Sequence, residues 1–226
     1  MAEYKGTYSE FNAVNRFQNL DGIEWKIVDH LIHSQTKHAD LFWKILKYGS
    51  DVYALSKDPV QESDRRALVC THNGEHTTKR LFLQPFVDDA WSEQCSSVYI
   101  YVDEIHPSDQ TRANVIVTVE AVVHAKISVI AGDGDELINP NANPNDSDEQ
   151  GNIVVTMKNR ATVLLKSIMA ELNGLFLDGI GYLLIDNKLD QSTGVKSALW
   201  NGRAFYGYSI KFGLKLSGVD DNAEGF

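Results

Sequence analysis

The chain of 226 residues lacks the features that most directly reveal a compartment. It has no run of about eighteen apolar residues, which predicts no membrane span, and polar residues 1–16 predict no secretory signal. Only two cysteines are present, Cys70 and Cys95, without CxxC spacing, so we expect reduced thiols instead of a disulfide framework. These absences favour a soluble protein made in a cytoplasm.

Basic residues are also scarce in comparison with acidic ones. Lysine and arginine number 21 against 31 aspartates and glutamates, which gives a net charge of −10. A surface of this sign repels nucleic acid, so we do not expect a protein that grips DNA and reads its sequence. A channel through which DNA slides would instead benefit from a repulsive lining.

Common catalytic and cofactor-binding motifs are missing as well. The sequence has no phosphate-binding loop, zinc finger, nucleophile elbow or glycosidase pair of carboxylates. Gly174, Gly179 and Gly181 follow a predicted helix, whereas a dinucleotide fingerprint links a strand to a helix. We therefore expect these glycines to turn the chain from helix to strand.

The strongest pattern that is present is an alternation over residues 112–130. Its apolar positions are Ala113, Val115, Val117, Val119, Ala121, Val123, Ala125, Ile127 and Val129. A two-residue period of this length predicts one long strand with a dry face and a wet face. The preceding segment alternates around Val98, Ile100 and Val102, and the turn formers of residues 106–110 predict that the two strands make an antiparallel hairpin.

Apolar residues at three- and four-residue steps predict helices in the first third of the chain. The first begins near Ile23, with Asp21 as its N-cap and Glu24 completing a capping box. The second covers residues 37–48 and stops at Gly49. A short helical stretch is expected within residues 58–70.

The best-formed helix lies in the second half of the chain and is followed by an alternating final strand. The apolar stripe of this helix is Met157, Ala161, Leu164, Leu165, Ile168, Met169, Leu172 and Leu175. Lys158, Arg160, Lys166 and Glu171 are assigned to its polar side. The final strand covers residues 203–216 and has one apolar face and one cationic or bare face.

These elements predict an α+β fold: a mixed, mainly antiparallel sheet with a long β-hairpin packed by amphipathic helices. Residues 1–22 are predicted to form an N-terminal arm and residues 23–226 a single domain. Within that domain, residues 23–75 form a helical part, and the polar, proline-broken residues 132–152 form a long flexible loop.

Histidines and carboxylates suggest two candidate metal sites, each with a plainer interpretation. His30 and His33 would share a helix face, and His38 or Asp40 could supply a third ligand. Solvated histidines at helix ends are the preferred interpretation. Asp133, Asp135 and Glu136 could hold calcium but lack the spacing of an EF-hand, so a solvated loop is preferred.

Three further candidates concern catalysis and binding. Cys70 with His72 or His76 could be the nucleophile and base of a thiol enzyme or small hydrolase, although no group that would orient the base is evident. Alternatively, an aromatic face of Trp91, Tyr99 and Tyr101 could make the chain a monomeric binding module. Lys211, Lys215 and Arg203 form a cationic row that is either solvated or paired with an acidic neighbour in an assembly.

A family resemblance rests on the order of hairpin, loop, helix and final strand. It is carried by residues 114–129, by residues 160–172 and by residues 201–208, which read NGRAFYGY. This arrangement resembles the tail-terminator and neck-ring proteins of tailed bacteriophages. Residues 41–48 (LFWKILKY) and 86–90 (FVDDA) are similar to ring or connector proteins of crAss-like podophages.

The resemblance implies a virion structural protein without catalytic residues, cofactor or metal. It implies a ring of six or twelve copies at the head-tail junction, between portal protein and tail or neck rings, enclosing passing genomic DNA without reading it. Such a ring is assembled in the cytoplasm of the host bacterium. The first hundred residues depart from the pattern, because small terminators lack so large an addition.

Overall fold

A computed structural model describes residues 22–71, 78–86, 94–107, 112–131, 157–178, 180–185, 193–200 and 204–217. Its helices are α1 (Ile23–His33), α2 (Lys37–Lys47), α3 (Glu62–Leu68) and α4 (Arg160–Leu172). Its strands are β1 (Leu81–Phe82), β2 (Ser96–Pro107), β3 (Arg112–His124), β4 (Val129–Ala131), β5 (Met157–Asn159), β6 (Phe176–Leu177), β7 (Gly181–Tyr182), β8 (Gly194–Trp200) and β9 (Phe205–Ser217).

The main sheet has five strands in the order β1-β2-β3-β9-β8. All of its strand pairs are antiparallel except β1 with β2, which is parallel. Two small antiparallel pairs, β4 with β5 and β6 with β7, lie beside it. The predicted α+β class with a mainly antiparallel sheet is therefore confirmed.

The predicted hairpin is present and is long. Strand β2 pairs with β3 from Ser96↔Val123 to Pro107↔Ala113, with a bulge between Val102 and Glu104. Strand β3 then pairs with β9 over its whole length. Gly207 allows this approach, because a side chain there would place its Cβ 1.8 Å from the carbonyl oxygen of Ala121.

The prediction of one strand reaching residue 130 was wrong. Strand β3 ends at His124, and the chain makes a single 3-10 turn at Ala125–Ile127 before β4 begins. The imidazole Nδ1 of His124 accepts the Lys126 amide, which favours this turn. The alternation of small apolar residues continues through the turn, so periodicity alone did not mark it.

The helices cover one face of the sheet and enclose the main core. Helices α2 and α4 pack against each other, with the start of α2 beside the end of α4, where Thr36 contacts Glu171. Every second residue of β3 from Val115 to Val123 is buried in this core, as are the β9 side chains Ile210, Phe212, Leu214 and Leu216. The predicted dry face is thus confirmed for both strands.

The opposite face of the sheet is not simply wet, as the alternation suggested. A second apolar cluster of Phe82, Cys95, Tyr99, Val122 and Phe205 covers part of it. The segment after β1 lies over these residues, and its Phe86 amide donates to the Glu120 carboxylate at 3.0 Å. The alternation of residues within one strand cannot reveal such a covering segment, since the segment comes from elsewhere in the chain.

The helix boundaries and caps differ in detail from those predicted. Gly22, with no side-chain bond, occupies the N-cap of α1, and Glu24 accepts the Val102 amide instead of closing a capping box. Asp21 lies outside the described residues. Helix α2 stops as expected before Gly49, whose φ is +47°. Residues 157–159 of the last predicted helix form β5, so that helix begins at Arg160.

Two buried arginines fasten the helices to the turns around them. Arg65 of α3 donates to the carbonyls of Val60, Ile32 and Ser34 and so binds the end of α1. Arg160 is 0% exposed and donates to the carbonyls of Ile127 and Asp51, at 2.9 and 2.8 Å. The assignment of Arg160 and Glu171 to a solvated polar side of α4 was therefore wrong.

The predicted arm covers residues 1–22, of which the structure describes only Gly22. The predicted loop of residues 132–152 also lies outside it. Both stay predictions.

Candidate functional site

The outer edges of the five-stranded sheet carry exposed aliphatic side chains. Strand β8 forms one edge and pairs only with β9 among the described strands. At the other edge β1 pairs with Val98 and Tyr99 alone. Residues 100–107, the upper part of β2, therefore have no neighbouring strand on this side in the described chain. Unpaired edges present main-chain donors and acceptors that can bind a further strand.

Strand β8 exposes aliphatic side chains on one face and a cation on the other. Val195 pairs with the buried Ile210 and so lies on the helix side, yet it is 41% exposed. Leu199, on the same side, is 66% exposed. Lys196 is exposed on the opposite face, next to Ser209.

The upper part of β2 has the complementary pattern. Ile105 pairs with the buried Val115, lies on the helix side and is 44% exposed. Glu104 pairs with Ile116 and therefore faces the opposite side, as Lys196 does on β8. The bulge at Asp103 determines which side chains face the helices, because beyond it the pairing of β2 with β3 is shifted by one residue.

Carboxylates at this edge belong to a small ion network. The Lys211 ammonium lies 2.5 Å from Asp103 and 3.3 Å from Glu104, and the His106 ring lies 2.8 Å from Glu104. Hydrogen bonds from His106 and then Lys211 lower the pKa of Glu104, and the bond to Asp103 raises the pKa of Lys211. The network contains two carboxylates and one permanent cation, so it keeps a negative charge when His106 is neutral.

One member of the cationic row predicted on the final strand, Lys211, is not simply solvated. Lys211 is paired within the chain, as described above, which neither of the two interpretations anticipated. Lys215 is exposed, and Arg203 lies outside the described residues.

The residues of the first metal hypothesis do not form one cluster. His33 contacts Asp29 and the Arg66 guanidinium, the latter at 2.8 Å. The Asp40 carboxylate lies 2.9 Å from the Lys44 ammonium and accepts the Val60 amide. In the part of the chain that the structure describes, no three histidine, cysteine or acidic side chains form a group that could hold a metal ion.

His30 lies instead beside a buried carboxylate that sequence reasoning missed. Glu171 accepts hydrogen bonds from the hydroxyls of Ser34 and Thr36, and His30 Nε2 lies 3.5 Å from it. The glutamate side chain is only 3% exposed. This cluster joins the α1–α2 turn to the end of α4, which is a structural role.

His38 lines a cavity of about 240 Å³ between α2 and α4. Leu41 and Val163 supply its apolar wall, and the other lining residues are Lys158, Asn159, Thr162, Lys166 and Ser167. These residues come from α2, β5 and α4, which explains why the sequence did not indicate the cavity.

The thiol hypothesis is only partly covered by the structure. Cys70 is half-buried, its amide donates to the Leu81 carbonyl, and it packs against the second apolar cluster. Both cysteines are free, as expected. His72 and His76, the proposed bases, and the carboxylates of Asp133, Asp135 and Glu136 lie outside the described residues.

The proposed aromatic binding face is wrong where it includes Tyr99. This side chain is 0% exposed and is stacked on Phe82, with ring centroids 5.0 Å apart. Burial raises its pKa. Tyr101 is half-buried and Trp91 lies outside the described residues, so no continuous aromatic surface is available to a ligand at Tyr99.

The fold and its edges define the class of this chain: an α+β protein built on a five-stranded, mainly antiparallel sheet with exposed aliphatic edges. Comparisons with family models, with curated proteins and with solved structures found no match. None of the helices within the described ranges is long and apolar enough to cross a membrane.

Proposed function

We propose that this protein is a structural subunit of a connector ring between the portal and the tail of a tailed bacteriophage. The observation that carries the proposal is the five-stranded sheet, whose two edges have no further strand among the described residues and each present an exposed aliphatic side chain on the helix side. The two edges differ from each other, so one copy can join the next head to tail. Contacts of this kind close into a ring when the rotation between copies is right.

The directions of the strands support such an assembly. Strand β2 is antiparallel to β3, β3 to β9, and β9 to β8, so β8 and β2 run in opposite directions. Two copies with the same orientation would therefore continue the sheet in its antiparallel pattern. Edge strands of one protein commonly pair with another chain when nothing covers them.

The overall charge suits a ring that encloses moving DNA. With a net charge of −10, the chain has no excess of cations that would retain the phosphate backbone. The proposed partners are sister copies, six or twelve to a ring, a portal protein and the tail or neck rings. The proposed location is the head-tail junction of the virion, after assembly in the cytoplasm of the host bacterium.

Light scattering and electron microscopy of the purified protein test this proposal. We expect closed rings in two-dimensional class averages, alone or after addition of a portal protein, and a mass that is a multiple of the 25.3 kDa chain. A single monomeric species at high concentration under both conditions would contradict the proposed function.

A further inference from the structure

The two edges of the sheet, which lack a further strand within the described part of the chain, match each other in more than direction. On β8, Val195 faces the helix side and Lys196 the opposite side. On β2, Ile105 faces the helix side and Glu104 the opposite side. Residues directly opposite each other in an antiparallel pair have their side chains on the same face of the sheet. A residue on the helix side of one strand must therefore lie opposite a residue on the helix side of the other.

We infer that β8 of one copy pairs with the upper part of β2 of the next copy, in the register that places Lys196 opposite Glu104 and Val195 opposite Ile105. This inference rests on the proposed function, since it assumes that the chain assembles with itself. It goes further by naming the two surfaces, their register and the side chains that select it.

The side chains distinguish this register from registers shifted by one or two residues. A shift of one residue would bring Lys196 to the apolar face, which also holds Ile105. A shift of two toward the end of β2 would place Lys196 opposite His106, which can carry the same charge. The proposed register brings Lys196 against a carboxylate while exposed aliphatic side chains meet on the other face.

The carboxylates at the β2 edge carry a net negative charge that one more cation would neutralise. Asp103 and Glu104 share Lys211 as their permanent cation within the chain. Lys196 forms no ion pair with another described residue and is exposed. Its arrival from a neighbouring copy would bring the group of two carboxylates and two lysines to neutrality.

The length of the ladder is limited by α1. Glu24 already accepts the amide of Val102, which occupies the β2 edge below the bulge. The intermolecular ladder therefore covers residues 104–107 of β2 and the first half of β8. Short edges guarded in this way restrict pairing to one register and to one partner.

A charge-swap experiment tests the register at 150 mM salt. We expect Lys196→Glu and Glu104→Lys each to raise the protein concentration needed for half assembly about tenfold, and the double variant to recover most of the loss. Lys126→Glu, an exposed lysine on the distant 3-10 turn, is the matched control and should assemble like the native chain. Thermal unfolding of each variant shows whether it is folded.

A disulfide experiment tests the same contact without changing charge. Opposite residues of paired strands have Cβ atoms about 5 Å apart, close enough for a disulfide after a small adjustment. In a Cys70→Ser background, Val195→Cys with Ile105→Cys should give covalent oligomers on oxidation. Leu199→Cys with Ile105→Cys is the control, because the register separates those positions by about four residues, or about 13 Å.

These outcomes separate the inference from the proposed function. If the native chain does not assemble, the proposed function fails and the register with it. If rings form but Lys196→Glu assembles normally, the double variant is no better than the single ones, or both cysteine pairs cross-link equally, the ring uses other surfaces and only the register is overturned.

Discussion

Arg160 shows how much a single residue contributes to this fold. Its guanidinium is buried where the 3-10 turn, the segment after α2 and the start of α4 meet. Burial lowers the pKa of Arg160, so the charge is held there at a desolvation cost. Hydrogen bonds from Nε and Nη2 to carbonyls reduce this cost, whereas Nη1 has no hydrogen-bond partner among the described residues. An arginine at the start of an amphipathic helix is usually interpreted as a solvated residue. The spacing of residues in the sequence does not reveal the carbonyls that bind Arg160.

Replacing this arginine should therefore destabilise the fold. For Arg160→Met we expect a loss of about 3 kcal/mol in the free energy of unfolding, because the carbonyls of Ile127 and Asp51 would be left buried without a donor. Urea unfolding followed by circular dichroism measures the loss. Arg66→Met, which removes an exposed pair with Glu62, is the control and should cost less than about 1 kcal/mol. Equal losses for both variants would show that Arg160 has no special role.

His124 gives the stability a predictable dependence on pH. Burial, and then the Lys126 charge, lower the pKa of His124 in the folded state. The unfolded chain, with a histidine pKa of about 6.5, thus binds the proton first as the pH falls. This residue's contribution to stability is complete above that pH and decreases below it. We expect His124→Gln to lose less stability than the native chain between pH 7.5 and 5, measured by urea unfolding; an identical loss would contradict the assignment.

At the scale of elements, long regular strands could be predicted from the sequence, and short edge elements could not. Strands β3 and β9 each bury one side over many residues, so their alternation is repeated often enough to be recognised. Strand β8 was not predicted. The apolar residues on its helix side are only Val195 and Leu199, because an edge strand buries little and needs few apolar residues.

The junction between α1, α2 and α4 shows a similar limit. Its central residue, Glu171, is bonded by side chains from positions far away in the sequence, Ser34 and Thr36. Helical spacing places Glu171 near the edge of the apolar stripe but does not reveal hydroxyl donors from another element. The candidate assembly edges were likewise found only after the sheet order was known.

Removing the charge of Glu171 should loosen this junction. Glu171→Gln keeps the volume but replaces one acceptor oxygen by an amide donor, which would face the hydroxyl donors of Ser34 and Thr36. We expect a loss of about 2 kcal/mol in the free energy of unfolding, measured by urea unfolding. Glu62→Gln, at an exposed site, is the control and should change stability by about 0.5 kcal/mol or less. A loss as small as that of the control would mean that the cluster does not hold the helices together.

At the scale of the whole molecule, net charge opposes the assembly that the edges favour. Two spheres of this mass touch at a centre separation of about 40 Å, where two charges of −10 repel by about 10 kcal/mol in unscreened water. Screening at 10 mM salt leaves about 3 kcal/mol, and at 150 mM the long-range part is nearly removed. The exposed contact between Lys196 and Glu104 is worth about 1 kcal/mol or less, so its weakening by salt is the smaller effect.

Assembly should therefore be promoted by moderate salt. Sedimentation velocity at one protein concentration should show a larger assembled fraction at 150 mM than at 10 mM sodium chloride. Lys126→Glu, which takes the net charge from −10 to about −12, should need more salt to reach the same fraction, because the repulsion grows with the square of the charge. If salt instead dissociates the native assembly, local ion pairs dominate the interface, and the aliphatic contact of Val195 with Ile105 contributes less than the exposure of these side chains indicates.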